Sequence, residues 1–332
     1  MGGCFNKMVT RKIAFIFPGQ GSQSPGMGRS LYDHFAIARE IFDTAEDILK
    51  WDIKGLCFDN KGDKINLTEY TQPAILVTSI SAWKILEAEG IKPGVVAGHS
   101  LGEYSAIVAA EGVSFIEILP VVQTRGKLMQ NAMPTGKGMM AALLGVSKET
   151  IAEICEAASV HGIVVPANYN APDQIVIAGE SDAVNKAMDI AKEKGVRRII
   201  PLNVSVPSHS PLMRTASEKL SGVLDAVKFS NLKTPLMTNV DARVVHSSSE
   251  IKDALVRQLT HPVRWDEAMS ILLKEGFNTF LEVGPGRVLS GLQKRIAREL
   301  TVETEILNAE DEDSLNRVVE ILIESKGIKG NA

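Results

Sequence analysis

The sequence predicts an α/β protein whose parallel-sheet core is interrupted by a smaller subdomain of ferredoxin-like β-α-β-β-α-β order. Three observations carry this expectation. Short apolar runs end in glycine-rich turns and pass into stretches of helical spacing, the layout of parallel strands joined by helices. Between residues 138 and 204 the rhythm tightens to strand, helix, strand, strand, helix, strand. Helices with short strands then resume, so the core is expected to be built from two separated parts of the chain, 12–136 and 206–322, with 137–205 inserted between them.

Taken in order, residues 12–17 (KIAFIF) read as a buried strand closed by Pro18-Gly19. Helical spacing follows over 31–56 (Leu31, Phe35, Ala38, Ile41, Phe42, Ala45) and over 72–90 (Ile75, Ser79, Trp83, Leu86), with Gly90 placed to end the second helix. Residues 95–97 form a strand that enters Gly98-His99-Ser100-Leu101-Gly102 and continues as a helix from Glu103. The insertion reads as strand 139–146, helix 148–158, strands 162–168 and 174–179, helix 181–195 and strand 196–204. Strands at 235–240 and 278–283 return to the core.

Composition narrows the function classes. Of 332 residues, 45% are hydrophobic and 23% charged, as in a globular protein able to bury a sizeable core. The 36 basic and 40 acidic residues leave a net charge of −4 with no long like-charge run, so a nucleic-acid surface gets no support and small molecules or another protein are the expected partners. Three widely spaced cysteines (Cys4, Cys57, Cys155) without a C-x-x-C pair argue against a disulfide framework or a zinc site and for a reducing, cytoplasmic setting. The longest apolar-looking stretch, 105–122, is broken by Glu111, Glu117 and Pro120, too short for a membrane span. No coiled-coil pattern or large apolar face suggests an oligomer, so a monomer is expected. Residues 1–11 read as a disordered leader; Asn6 stands where an N-myristoylation pattern wants Ser or Thr.

The chemistry centres on Ser100. In G-x-S-x-G a sharp strand-to-helix turn exposes the serine, and the amide of Leu101 with the helix N-terminus suits a developing oxyanion. The alternative is a serine that merely caps a helix. A serine needs a base to take its proton, and His209 lies in Val206-Pro207-Ser208-His209-Ser210-Pro211, a loop directly after the last inserted strand at an expected interdomain cleft. The other histidines are weaker candidates: His34 is on an amphipathic helix, His99 is inside the turn with its side chain expected to face away, and His161, His246 and His261 sit beside turns. Pro18-Gly19-Gln20-Gly21-Ser22-Gln23 is a second glycine-rich turn at the same sheet edge, able to donate another oxyanion bond; it lacks the lysine and spacing of a phosphate loop. Arg125 shares a helix face with Met129 and is either a solvated surface group or a clamp for a substrate carboxylate.

Six segments together, FPGQGSQ (17–23), GHSLGE (98–103), QTRGKLMQ (123–130), NYNAPDQIVIAG (168–179), VSVPSH (204–209) and EVGPGRVLSGL (282–292), resemble the malonyl-CoA:acyl-carrier-protein transacylase family in order and spacing across about residues 12 to 322. The resemblance implies a hydrolase-like parallel-sheet core with an inserted ferredoxin-like subdomain. It implies Ser100 as nucleophile, His209 as general base, Arg125 as clamp for the malonyl carboxylate, and the backbone amides of Gln20 and Leu101 as oxyanion donors. It implies that Gln258 orients the histidine through its main-chain carbonyl, with no catalytic aspartate, and that Met129 and Ser208 border the acyl pocket. The substrates implied are malonyl-CoA and the phosphopantetheine arm of an acyl carrier protein, with no metal and no permanently bound cofactor. His261, ahead of Pro262-Val263-Arg264-Trp265, stands where the family pattern leads us to expect a smaller or hydroxyl-bearing residue, a departure confined to the loop near Gln258.

Rival readings share the turn. A serine esterase or thioesterase needs no arginine at 125 and normally has an acidic triad partner, yet residues 204–214 contain none. A non-catalytic binding module would not need the Ser100, His209 and Arg125 set. The resemblance implies a malonyl transferase supplying fatty acid synthesis; an acyltransferase of polyketide synthesis would share every residue named. Lys192, Lys194, Arg197 and Arg198 form a basic cluster that is either a solvated helix end or a landing surface for an acidic carrier protein.

Overall fold

The structure is a computed structural model that describes residues 11–324 apart from Asn203 and Ser205. The predicted leader, except Arg11, and Cys4 within it lie outside the described residues, as does Ser205 of the VSVPSH segment. Along the chain, β1 (Ile13–Phe17) leads to α1 (Arg29–His34), α2 (Ala36–Leu49), α3 (Ile53–Asp59) and α4 (Thr68–Ala88). β2 (Val95–Gly98), α5 (Gly102–Ala109) and α6 (Phe115–Gln130) follow, and then β3 (Gly138–Leu144), α7 (Lys148–Ala158), β4 (Val164–Ala171), β5 (Gln174–Glu180), α8 (Ser181–Glu193) and β6 (Arg198–Pro201). The chain continues through α9 (Arg214–Asp225), β7 (Leu236–Met237), β8 (Val244–Val245), α10 (Ser248–Gln258), α11 (Trp265–Lys274), β9 (Thr279–Val283), α12 (Val288–Glu299), β10 (Glu305–Ala309) and α13 (Glu312–Val319).

The large sheet has the order β10-β9-β1-β2-β7-β8, parallel except for the hairpin partner β8. Central β1 is apolar on both faces because both are covered: Phe15 and Phe17 enter the core shared with α2, α4 and α6, while Ala14 and Ile16 enter a second core with α11 and α12. Burial of nearly every residue of α4 from Thr71 to Leu86 makes it the central helix of the first of these layers.

The insertion forms its own antiparallel sheet, β4-β5-β3-β6, the strand order of a ferredoxin-like unit. One face packs Leu143, Ile175 and Ile177 under α7 and α8. The other carries Met140, Ala142, Val176 and Ala178, with Leu202 and Val204 against them, and looks into the cleft. Val263, in the loop before α11, ties the inserted sheet to the large core: its amide donates to Ala167 O (2.9 Å) and its carbonyl accepts from the Tyr169 amide (2.9 Å).

Two helical expectations are corrected. The helix predicted over 31–56 is three helices, broken at Phe35, which is extended, and at Lys50 (φ 61°), after which Asp52 caps α3 by accepting the Gly55 amide at 2.6 Å. Apolar spacing survives such breaks because each piece lays its apolar side on the same core, so periodicity alone does not reveal them. The helix predicted from 72 starts at Thr68 and runs through Pro73; near a helix start a proline removes one ladder bond, which burial of the helix offsets.

Candidate active site

The turn from β2 to α5 holds Ser100 at φ +51°, in the left-handed region that costs an ordinary residue about 1–2 kcal/mol. Two features hold it there. A Cβ at Gly98 would stand 1.9 Å from the Gly102 carbonyl carbon and one at Gly102 would stand 2.0 Å from Phe17 O, so only glycines let the helix lie this close to the strands. Asn239, buried in the loop after β7, accepts the Ser100 amide on Oδ1 (2.7 Å) and donates from Nδ2 to Gly98 O (2.6 Å). Sequence reasoning missed Asn239, which carries no local motif.

His209, also at positive φ (+60°), meets Ser100 from the loop before α9. Its Nε2 is 2.8 Å from Ser100 Oγ and its Nδ1 is 2.7 Å from the main-chain carbonyl of Gln258 at the end of α10. A carbonyl only accepts, so Nδ1 carries the hydrogen and Nε2 presents a lone pair to the serine. Burial pushes the imidazole down to about 3; the nearby Arg125 charge adds to the fall, and the bond to the Gln258 carbonyl opposes it. The residue is held neutral, the form that accepts a proton.

Arg125, on α6, is fully buried. Its Nη1 donates to Gln72 Oε1 (2.6 Å), its Nη2 donates to Gln258 Oε1 (2.8 Å) and Ser100 Oγ (3.2 Å), and its guanidinium lies 5.3 Å from the centre of the Tyr104 ring. These hydrogen-bond partners are neutral, and burial lowers its pKa. The solvated-surface reading of Arg125 is thereby corrected: six apolar residues of α6 (Phe115, Ile118, Leu119, Val121, Val122 and Met129) are buried with it, turning this face inward.

Gln258 is the hub. Besides its carbonyl to His209 and its Oε1 to Arg125, its Nε2 donates to Ser100 O (2.9 Å) and to the Glu103 carboxylate. The other Glu103 oxygen accepts the Asn239 amide at 3.2 Å. Burial raises the Glu103 carboxyl to about 7 against the pull of these bonds and of Arg125. Glu103 and Gln72 were also missed. The first stands in the GHSLGE segment, and its charge at a position facing the core was the available signal.

A cavity of about 130 Å³ opens between the sheets over this set. Gln20, Leu101, Met129 and Ser208 line it with Ser100, Arg125 and His209. The amides of Gln20 and Leu101 have no acceptor among the described residues. The side chain of His99 does not turn away as expected: it lines the same cavity, with Nε2 2.8 Å from Asn170 Oδ1 and its ring 5.4 Å from that of Trp265, because β4 brings Asn170 across the cleft. His261 leaves the Gln258 loop intact, its Nδ1 bonding to Arg257 O at 2.9 Å near the surface. Lys192 and Lys194 are exposed and paired with Asp189 (2.9 Å) and Glu153 (2.7 Å); Arg197 and Arg198 are exposed on the approach to β6 and at its start.

A family model for the acyl transferase domain matches residues 14–316. The chain belongs to the acyl transferase domain family. Its relatives include the malonyl CoA-acyl carrier protein transacylases of Bacillus subtilis, 45% identical over 87% of this chain and 92% of that one, and of Escherichia coli K12, 42% identical over 87% and 94%. Among solved structures, a malonyl-transacylase in complex with a type II PKS acyl-carrier protein superposes with a TM-score of 0.90 at 41% identity, covering 93% of this chain and 99% of that one. The malonyl CoA-acyl carrier protein transacylase of Coxiella burnetii gives 0.91 at 38% identity, over 95% and 98%. The acyl transferase fold predicted from the sequence, a parallel core with an inserted ferredoxin-like sheet, is the fold observed. Among the described residues, no helix is long and apolar enough to cross a membrane.

Proposed function

We propose that this enzyme transfers a malonyl group from malonyl-CoA to the phosphopantetheine thiol of an acyl carrier protein through a malonyl ester on Ser100. One observation carries the reading: a serine bonded to a neutral histidine stands 3.2 Å from a buried arginine that, among the described residues, hydrogen-bonds only to neutral partners. The serine–histidine pair supplies acyl transfer, and the buried cation selects an acyl group that brings its own carboxylate.

In the forward half-reaction His209 Nε2 takes the Ser100 proton as Oγ attacks the thioester carbon. The Gln20 and Leu101 amides receive the oxyanion, and the proton then passes to the departing sulfur of coenzyme A. The Gln258 carbonyl holds Nδ1–H and supports the transient imidazolium without an aspartate. The carrier thiol then attacks the ester with His209 again as base, which makes the kinetics ping-pong. Arg125 swings from its neutral partners onto the malonyl carboxylate, while Met129 and Ser208 border the acyl group. No step calls for a permanently bound cofactor. Monomeric action in the cytoplasm, with 137–205 as a distinct subdomain walling one side of the cleft, completes the proposal.

For the carrier we propose the approach along β6. From exposed Arg198 to Leu202, which lines the cavity, is about 13 Å of extended strand, so an acidic carrier held at Arg197 and Arg198 would point its arm inward. Lys192 and Lys194, already paired, contribute less. Reversing both arginine charges should raise KM for the carrier and leave KM for malonyl-CoA unchanged; equal effects would reject this surface. A polyketide carrier is the second reading, favoured by the structural neighbour bound to a type II PKS acyl-carrier protein.

The decisive experiment is intact-protein mass after brief exposure to malonyl-CoA, with Ser100→Ala beside the wild type and carriers of each pathway added afterwards. A malonyl adduct on the wild type alone, discharged to a carrier, is expected. Free malonate without an adduct would instead mark a thioesterase.

A further inference from the structure

Glu103 is a fully buried carboxyl that takes no part in the steps above. One oxygen accepts the Asn239 amide and the other accepts Gln258 Nε2, while the other end of that same glutamine amide accepts from Arg125. One planar amide therefore separates Glu103 from a buried guanidinium whose direct partners are all neutral. Two facts about charge follow. A lone buried cation is costly, so the empty enzyme gains from an anion this near. A malonyl carboxylate arriving on Arg125 puts a second anion around the same fully buried cation, which disfavours having both ionised.

We propose that Glu103 is the resident counter-charge of Arg125, a positioning residue acting through Gln258, and that it yields this role to the substrate by taking up a proton when the malonyl group arrives. The idea rests on the malonyl reading of the site. The charged and titratable groups facing Glu103 are few. Arg125 comes from α6 and Tyr104 from its own helix. His209 stands across Gln258, and Asp241, in the loop after β7, is held by Arg257 at 2.7 Å. Burial already brings the carboxyl near neutrality, so a modest added field suffices to protonate it.

The proton balance makes the uptake measurable. In acylation the C–S bond of the thioester breaks and the Ser100 Oγ–C bond forms. The serine proton leaves on the coenzyme A thiol through His209, so the chemistry itself neither consumes nor releases a proton below about pH 8. Any uptake then reports a protein group responding to the acyl charge.

The test uses the full-length enzyme in weak buffer with a pH indicator, loaded with malonyl-CoA or acetyl-CoA between pH 5.5 and 8, with adduct stoichiometry read by mass. We expect about 0.3 to 1 proton taken up per malonyl adduct at the best pH, none per acetyl adduct, and none in Glu103→Gln. Infrared difference spectra with carbon-13-labelled malonyl-CoA should show a protonated carboxylic-acid band in the wild type, a readout that stands if the variant does not fold. Equal uptake with both substrates, uptake persisting in Glu103→Gln, or absence of the acid band would overturn the proposal. Failure of the wild type to form a malonyl adduct would instead remove the malonyl reading beneath it.

Discussion

Replacing Arg125 with alanine separates recognition of the acyl carboxylate from acyl transfer itself. In the free enzyme this guanidinium spends its donors on Gln72, Gln258 and Ser100, all neutral, so exchanging them for a carboxylate converts neutral-acceptor bonds to a buried, charge-assisted pair. Removing one partner of such a pair costs about 3–5 kcal/mol, because the substrate's charge is left desolvated and uncompensated. At about 1.4 kcal/mol per tenfold, kcat/KM for malonyl-CoA should fall about 10²- to 10⁴-fold. Acetyl-CoA brings no carboxylate and feels only the losses common to both substrates, the 3.2 Å bond to Ser100 Oγ and the 2.8 Å bond that steadies Gln258, so its loading should fall far less, by about tenfold at most. Single-turnover acylation measured by mass against substrate concentration gives both values, with a thermal melt to confirm folding. Arg125→Lys should recover only part of the preference, since an ammonium cannot form the bidentate fork. Equal losses on both substrates, or a retained preference for malonyl-CoA in the alanine variant, would refute the reasoning.

Two further outcomes test the scaffold. Asn239→Ala leaves the buried Ser100 amide and Gly98 carbonyl without partners, a loss of about 2–5 kcal/mol seen as a lowered denaturation midpoint, and it should slow malonyl and acetyl loading alike because the turn itself relaxes. Unequal slowing would contradict this role. For His209 the folded state resists protonation down to about 3 while the unfolded chain protonates near 6.5, so unfolding binds a proton between these values. The stability it contributes is full above 6.5 and is lost as pH falls towards 3. Urea denaturation should show the wild type losing about 3 kcal/mol more than His209→Gln between pH 7 and pH 4, and parallel curves would reject a buried neutral imidazole.

Local chemistry made much of this molecule legible. The βαββαβ insertion was readable because its strands and helices are short and punctuated, and α7 begins and ends at the predicted residues, with Ser147 as its cap. Ser100 was readable because the turn that exposes it requires glycines at 98 and 102, a demand met within five residues. The Leu101 amide came with that same turn, and His209, Arg125 and the Gln20 turn were local candidates beside blander readings that the family resemblance set aside; Gln258 was reachable only through the resemblance, since nothing local marks it.

The linear chain by itself determined the elements, their alternation, and the residue types that a nucleophile, a base and a cation require. Only tertiary structure decided which polar groups share one buried network. Asn239, Glu103 and Gln72 come from a loop, a helix start and a helix interior far apart along the chain, yet they hold the Ser100 amide, the Gln258 side chain and the Arg125 guanidinium. The physical reason is that a hydrogen bond between distant segments leaves no periodicity or spacing in the sequence. Its cost when unmade arises only after folding has taken the water away.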